Sequence, residues 1–417
     1  MKAQIIIIGD ELLNGSIQDK NISPLAKWLD QIGFACDQVT ITKDREDLLL
    51  PVLKEAWDKS DLVITTGGLG PTEDDITKQI LAKLIGTTLA PSDKAQQLVE
   101  KLYSRRDKLW NPELNHYHLI PKGVEVFDNP KGFAPGLMIK KDKRLLLATP
   151  GVPRELMAML EETLPDIIKE SFPNMDNGPK VITFRTHGIP EEKIFGELCP
   201  GLWQELSHYG KVSSLPQVIG VDIHILLKPE FRKDYQKTKE TIVNLVQTKA
   251  LKDYIWSNEF ITLEEAVIKK ASEKNLKIGF SESCTGGLVA HKITNVSGSS
   301  RVFMGSLVTY SNESKKDLLR VSEEVLKTKG AVSEETALEM VQGTKEKLKV
   351  DVALSLTGIA GPLGGSKEKP VGTVCIGEAF GNSSESKQYQ FFGDRALLKE
   401  RFAQTALLKA LKIIEKL

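Results

Sequence analysis

Ser281-Glu282-Ser283-Cys284-Thr285-Gly286-Gly287 follows a short strand-like run, Lys277 to Phe280. Tyr310-Ser311-Asn312-Glu313-Ser314-Lys315 comes next, with Tyr310 standing 27 residues after Ser283. A serine therefore sits where a strand turns into a helix, and a tyrosine and a lysine return in one short segment. A serine hydroxyl is a poor nucleophile until another group takes its proton. Lysine and tyrosine can do so only when burial or neighbouring charge lowers pKa values that are ordinarily about 10. The helix start would offer backbone N–H groups to a developing oxyanion. Simpler readings stand beside this one. Ser283 or Thr285 can be the N-cap of the following helix, Tyr310 a half-buried aromatic, and Lys315 a solvated charge. Cys284 is a rival nucleophile or a small buried hydrophobe. No histidine lies nearer to it in sequence than His291 to suggest a Cys–His pair.

Outward from this stretch the pattern is alternating strand and helix. A helix opens at Thr262, and strands are predicted at Ile278–Phe280, Val302–Thr309, Val352–Leu356 and Gly372–Gly377. Thr357-Gly358-Ile359-Ala360-Gly361-Pro362-Leu363-Gly364-Gly365 leaves one of these strands as a glycine-rich loop. Such a loop can bring N–H groups close to a phosphate or an oxyanion. A tight connection between strands needs glycine equally, and the usual nucleotide-binding spacings are absent. In Gly393-Asp394-Arg395, just before the last helix, the guanidinium suits a substrate phosphate. A surface salt bridge is the plainer role.

The first ~165 residues also alternate, which predicts a largely parallel sheet covered by helices. Strands are expected at Ala3–Ile8, Phe34–Ile41, Asp61–Thr66 and Leu145–Ala148, and helices at Leu48–Trp57, from Ile76, and at Arg154–Leu164. Thr65-Thr66-Gly67-Gly68-Leu69-Gly70-Pro71-Thr72-Glu73-Asp74-Asp75 lies between a strand and a helix. A glycine loop there suits a phosphate, and Asp74 and Asp75 could hold a divalent metal beside it or simply cap the helix. Asp10 and Glu11 end another strand of the same predicted sheet. Ser171 to Pro179 is dense in turn formers and reads as a linker. In the segment after it, Val181–Thr186 and Val218–Leu227 read as strands and Lys233–Gln247 as a helix. His187, Asp222 and His224 there read as ordinary strand and turn residues.

At 417 residues the chain exceeds what one core supports, so two or three domains are expected. Its 56 basic and 56 acidic residues cancel, giving no global argument for nucleic acid or an anionic membrane. Cys36, Cys199, Cys284 and Cys375 show no CxxC spacing, so neither a zinc site nor a disulfide framework is suggested. The apolar run Ile5–Ile8 is too short for a signal peptide, and no run approaches ~20 apolar residues. A cytoplasmic location is expected. Small-molecule nucleotides are the expected partners, without membrane or nucleic acid, and a homodimer is the expected assembly.

The motifs ESCTGG (282–287), GSS (298–300), TYSNE (309–313), GAVSE (330–334), TGIAGP (357–362), KPVGTV (369–374) and GDR (393–395) resemble the amidase domain of the CinA family. The TTGGLGPTEDD segment, with Gly9-Asp10-Glu11-Leu12-Leu13 and Ala134-Pro135-Gly136, resembles the molybdopterin-binding fold of MogA and MoaB as used in CinA. The resemblance implies an α/β multidomain chain in three parts. These are an N-terminal MogA/MoaB-like three-layer domain at 1–168, a small α/β middle domain at 178–252, and a C-terminal α/β amidase domain at 258–417. It implies hydrolysis of the carboxamide of nicotinamide mononucleotide to nicotinate mononucleotide and ammonia, without a cofactor. Ser283 would be the nucleophile, with Tyr310 and Lys315 activating it. Gly286, Gly287, Thr357, Gly358, Gly361 and Arg395 would bind substrate. For the N-terminal domain it implies ADP-ribose pyrophosphatase activity, with Asp10, Gly67, Gly68, Gly70 and Thr72 at a nucleotide site and a divalent metal on Asp74 and Asp75. A pterin- or nucleotide-binding module, or a competence-associated interaction protein with degenerate sites, is the alternative. The chain departs from the family's pattern at Ser306, where a second glycine is common and a narrower pocket is expected. It departs again at Asn115-His116-Tyr117-His118, in place of a Gln-Ala pair, and at Phe133, in place of threonine. His116 and His118 are either extra ligands or loop residues.

Overall fold

The computed structural model describes residues 1–173 and 180–417, so the linker read at Ser171–Pro179 lies outside them from Asn174 onward. Two compact units are present, Met1–Lys180 and Val181–Leu417. In the first, β1 (Lys2–Ile8), β2 (Ala35–Thr42) and β3 (Leu62–Thr66) precede a short pair, β4 (Leu89–Pro91) and β5 (Leu119–Pro121). Then come β6 (Glu125–Phe127), β7 (Gly136–Lys141) and β8 (Arg144–Thr149). The main sheet has the order β2-β1-β3-β8-β7-β6. Its first four strands are parallel and the last two antiparallel.

Ile5 to Ile8 are all buried because both faces of this sheet are covered. Ile6 and Ile8 pack with Leu49, Leu53 and Leu146, whereas Ile5 and Ile7 pack with Leu25, Leu29 and Leu147. Strand alternation thus feeds two separate cores, which is the three-layer arrangement. Strands β6 and β7 are absent from the sequence reading. The first is three residues long, and the second pairs through the ladder rather than through an alternating pattern.

The second unit contains two sheets. The first is antiparallel, β10 (Gly210–Pro216), β11 (Val221–Leu227), β9 (Val181–Thr186) and β12 (Ile255–Ser257) in that order. It buries Ile182, Phe184, Ile223 and Ile225 against Leu202, Leu206, Ile242 and Val246. The second has the order β14 (Phe303–Val308), β13 (Ile278–Glu282), β15 (Val352–Gly358), β16 (Thr373–Phe380), β17 (Ser383–Gln390). Strand β13 lies parallel to β14 and β15, and the last two strands are antiparallel. Phe280, Leu354 and Ile376 pack against helices Leu263–Glu273 and Arg395–Lys416. Ala353 and Ala379 pack on Val341 of helix Glu334–Leu348.

Thr262 caps helix Leu263–Glu273 in a reciprocal capping box with Glu265. His187 and Asp222 have structural partners, as expected of them. The His187 ring nitrogen lies 2.8 Å from Lys412 Nζ, and Asp222 pairs with Arg185 at 2.8 Å. No helix among the described residues is long and apolar enough to cross a membrane.

Candidate active site and N-terminal cavity

Strands β14 and β13 end side by side at Val308 and Glu282, level with Leu356 of β15, which runs on to Gly358. The next residues, Thr309 and Ser283 just past their strands and Thr357 in the last residues of β15, therefore form a row. The Thr309 amide donates to Glu282 O (2.8 Å) and the Ser283 amide to Leu356 O (2.9 Å). The following helix begins only at Leu288, with Gly287 as its left-handed N-cap (φ 94°). Neither Ser283 nor Thr285 caps it, so the capping role read for them is replaced. The cap is Glu282. Its buried carboxylate accepts from the amides of Gly287, Val289 and Ala290, each at 3.0 Å, and from the Ser306 hydroxyl at 2.9 Å. Two expectations change with it. The helix-start amides close on Glu282 instead of facing an oxyanion, and the Ser306 hydroxyl is turned to Glu282 rather than to a pocket.

Lys315 is 1% exposed. Its Nζ donates to Thr309 O at 2.8 Å, approaches Tyr310 O at 3.4 Å, and lies 2.9 Å from Ser283 Oγ. Burial holds the amine below its ordinary range. Position 315 comes here because Ser311 caps helix Asn312–Leu319, whose first turn presents Lys315 inward. Tyr310 behaves differently from the expectation. Its residue is 64% exposed, and it meets the pair through its carbonyl rather than its phenol. Cys284 is buried, and burial pushes its thiol up to about 12, which keeps it a neutral, weak nucleophile. The hydroxyls of Ser281, Thr285 and Thr309 are buried without a hydrogen-bond partner among the described residues.

Gly286 (φ 63°) and Gly287 turn the chain beside Ser283 in conformations that favour glycine. Thr357 Oγ1 donates to Ala331 O at 2.5 Å. A side chain at Gly358 would meet Thr373 O, and one at Gly361 (φ 74°) would meet Val371. Among the described residues Arg395 has no ion-pair partner of the kind read for it. Nη1 donates to Gly361 O at 2.6 Å, which ties the glycine-rich loop to the start of the last helix.

In the N-terminal unit, a cavity of about 580 Å³ opens at the ends of the parallel strands and is lined by Gly67, Gly68 and Gly70. The loop amides are largely committed. Asp75 accepts from the Gly70 amide (2.8 Å), the Thr72 amide (3.0 Å) and the Thr72 hydroxyl, while the Gly67 amide donates to Thr149 O. Neither Asp74 nor Asp75 caps the following helix, whose N-cap is Ile76. Asp10 is not on the cavity wall and pairs with Lys43 at 3.3 Å. Among the described residues no three His, Cys, Asp or Glu side chains converge closely enough to hold an ion. Asp74 and Asp75 thus do not by themselves fit a resident metal. His116 uses its carbonyl to accept from Lys78 Nζ (2.9 Å), and the His118 ring packs edge-on against Trp110.

The residue that sequence reading missed here is Asp44, just beyond β2. Burial, then the nearby Asp75, Asp10, Glu11 and Asp74, raise its carboxyl to about 6. Its signal was available, since ligands gather at the carboxyl ends of parallel strands.

Residues 4–170 match the model of a probable molybdopterin binding domain, and residues 261–414 match the CinA C-terminal domain. A CinA-like protein from Chloroherpeton thalassium is 36% identical over 415 residues, covering 98% of each chain. The chain belongs to the CinA family. A putative competence-damage inducible protein from Caldicellulosiruptor bescii is 38% identical over 408 residues, again with 98% of each covered. A solved CinA structure from Thermoplasma acidophilum is 32% identical, with a TM-score of 0.37, covering 40% of this chain and 98% of its own. The CinA motifs ESCTGG, TYSNE and TGIAGP fall on the row of Ser283, Thr309 and Thr357, with Lys315 on the helix that follows TYSNE.

Proposed function

We propose that the C-terminal part is a serine amidase that hydrolyses the carboxamide of nicotinamide mononucleotide to nicotinate mononucleotide and ammonia. The observation that carries this reading is the buried Lys315 amine 2.9 Å from Ser283 Oγ. A neutral amine has two protons and one lone pair. The carbonyls of Thr309 and Tyr310 receive the protons, which leaves the lone pair for the serine hydroxyl. Ser283 Oγ attacks the carboxamide carbon as its proton passes to Lys315 Nζ. The ammonium form returns that proton to the departing ammonia, and water then releases the acyl group by the same exchange. Arg395, fixed by Gly361 O, would receive the substrate phosphate on its remaining N–H groups.

The test is ammonia release from nicotinamide mononucleotide by purified protein. Ser283→Ala and Lys315→Ala should each lower kcat by about 10³-fold or more, with losses that do not add. Cys284→Ala should retain most activity. Normal turnover by Ser283→Ala would end this reading.

For the N-terminal cavity, Asp44 favours a second reading, hydrolysis of the ADP-ribose diphosphate with Asp44 receiving the proton of water. The acidic wall means that the diphosphate would enter together with a divalent cation as part of the substrate. A pterin-binding module is the competing outcome. ADP-ribose cleavage that survives in Asp44→Asn would remove the assignment.

A further inference from the structure

Asn21 stands at the start of helix Ile22–Gln31, where an asparagine oxygen ordinarily caps the first amides. Here its side chain caps nothing. Asp19 has taken that role, accepting from the amides of Asn21 (3.1 Å) and Ile22 (2.9 Å). The Asn21 side chain reaches across to two other segments instead. Its nitrogen donates to Thr66 Oγ1 at 3.1 Å and to Gly151 O at 2.8 Å. A carbonyl such as Gly151 O can only accept, so it fixes which end of the amide is nitrogen. Both protons are then used, and Oδ1 is left buried with no partner among the described residues. The residue is 5% exposed and stands on the wall of the N-terminal cavity. A buried acceptor in this state calls for a donor from a ligand or an ordered water.

The strand ends around it have few donors to spare. The Thr66 hydroxyl donates to Pro150 O at 2.8 Å and the Thr77 hydroxyl to Gly67 O at 2.9 Å, while the Gly67 amide donates to Thr149 O at 3.0 Å. Backbone proximity places a second acceptor close by. A Cβ on Gly151 would lie 3.3 Å from Gly67 Cα, and one on Gly68 would lie 3.0 Å from Asp44 Oδ1. Asn21 thus neighbours Gly67 through Gly151, and the Asp44 carboxylate neighbours Gly68. Two acceptors stand at one glycine pair, and all of these residues line the same cavity.

A ligand group that meets Asn21 Oδ1 must donate. Phosphate oxygens, carbonyls and unprotonated ring nitrogens cannot. The adenine edge sets its amine beside ring acceptors, which these oxygens would repel. The two hydroxyls of a ribose are neighbouring, rotatable donors, each able to turn its proton to a different oxygen. We propose that Asn21 Oδ1 is the acceptor for a ribose hydroxyl, so that this residue reads the sugar of a nucleoside diphosphate sugar in the N-terminal cavity. The inference rests on the ADP-ribose reading and adds the group through which the cavity selects its ligand. A site built around a hydroxyl rejects the analogue that lacks it, because the acceptor is then left unpaired.

The test is calorimetric titration of the full chain with ADP-ribose and with analogues that each lack one ribose hydroxyl, with calcium as the divalent ion. In the wild type one analogue should bind about five- to 150-fold more weakly than ADP-ribose, the loss expected when a buried acceptor goes unpaired. In Asn21→Ala that penalty should fall below about twofold, because no acceptor remains to be left unpaired. An Asn21 that only ties Thr66 to Gly151 would weaken every ligand alike on substitution and leave the penalty as it was. Binding at the amidase site would also leave it unchanged, since Asn21 belongs to the other unit. Should Asn21→Ala fail to fold, Asn21→Ser, which keeps a short polar group but withdraws the oxygen, takes its place. Equal affinity for all analogues in the wild type, or an undiminished penalty in the variant, would overturn the proposal and leave the diphosphate reading standing. No binding of ADP-ribose at millimolar concentration would overturn both.

Discussion

Asp44→Asn should stabilise the protein at neutral pH, although it removes a charged group from a candidate site. The Asp44 carboxyl rises from 3.8 to about 6 in the fold. The difference, about 2.2 (6 − 3.8), corresponds at 1.36 kcal/mol per pH unit to about 3 kcal/mol of penalty on the ionised form. Asp44 is half-buried and partly screened by solvent, so about 1 kcal/mol is the discounted figure. The sign follows from proton counting. Between about pH 4 and 6 the folded state keeps a proton that the unfolded state has lost, so this residue lowers stability as pH rises through that window. Below pH 4 both states are protonated and the penalty vanishes. Asparagine cannot ionise, so its advantage should be absent near pH 4 and complete above about pH 7. Thermal unfolding of the full chain, wild type against Asp44→Asn, measures it as a rise of about 2–4 °C in the N-terminal transition at pH 7.5. An equal gain at pH 4 and pH 7.5 would refute the electrostatic origin, as would a loss at pH 7.5.

Amide hydrolysis should rise with pH and level off below the ordinary lysine range, because the buried Lys315 amine must be neutral to accept the serine proton. A profile that keeps rising through pH 10.5 would contradict that assignment. Arg395→Ala should weaken nicotinamide mononucleotide far more than its dephosphorylated riboside, and equal losses would move Arg395 away from the phosphate. Glu282→Gln should lower kcat while leaving Ser283 and Lys315 in place, because an amide has one oxygen to offer where the carboxylate accepts four hydrogen bonds. Full activity in Glu282→Gln would show that the second carboxylate oxygen does not matter there.

The order of strands and helices was legible because each element carries its own local signal. The Ile5–Ile8 run ends at Gly9, the cap Thr262 precedes a helix, and Ser311 precedes another. Residue types near Ser283 likewise restrict the chemistry on their own. Direction and partnership were different matters, because they depend on what the fold brings across from distant positions. Whether Lys315 is a solvated charge or a buried amine depends on the strand-end row that brings residue 315 to residue 283. Whether Ser283 caps a helix depends on Glu282 reaching amides five to eight residues ahead. Tyr310 and Lys315 share one short segment, yet Tyr310 is exposed and Lys315 buried, since the turn before Asn312 points them apart. Asn21, Asp44 and Gly151 lie up to 130 positions apart and acquire a common meaning only as walls of one cavity. Sequence fixes each group's intrinsic chemistry and local backbone preference. Burial, and the charges that surround a group, exist only once the chain has folded, and those set its pKa and its partner.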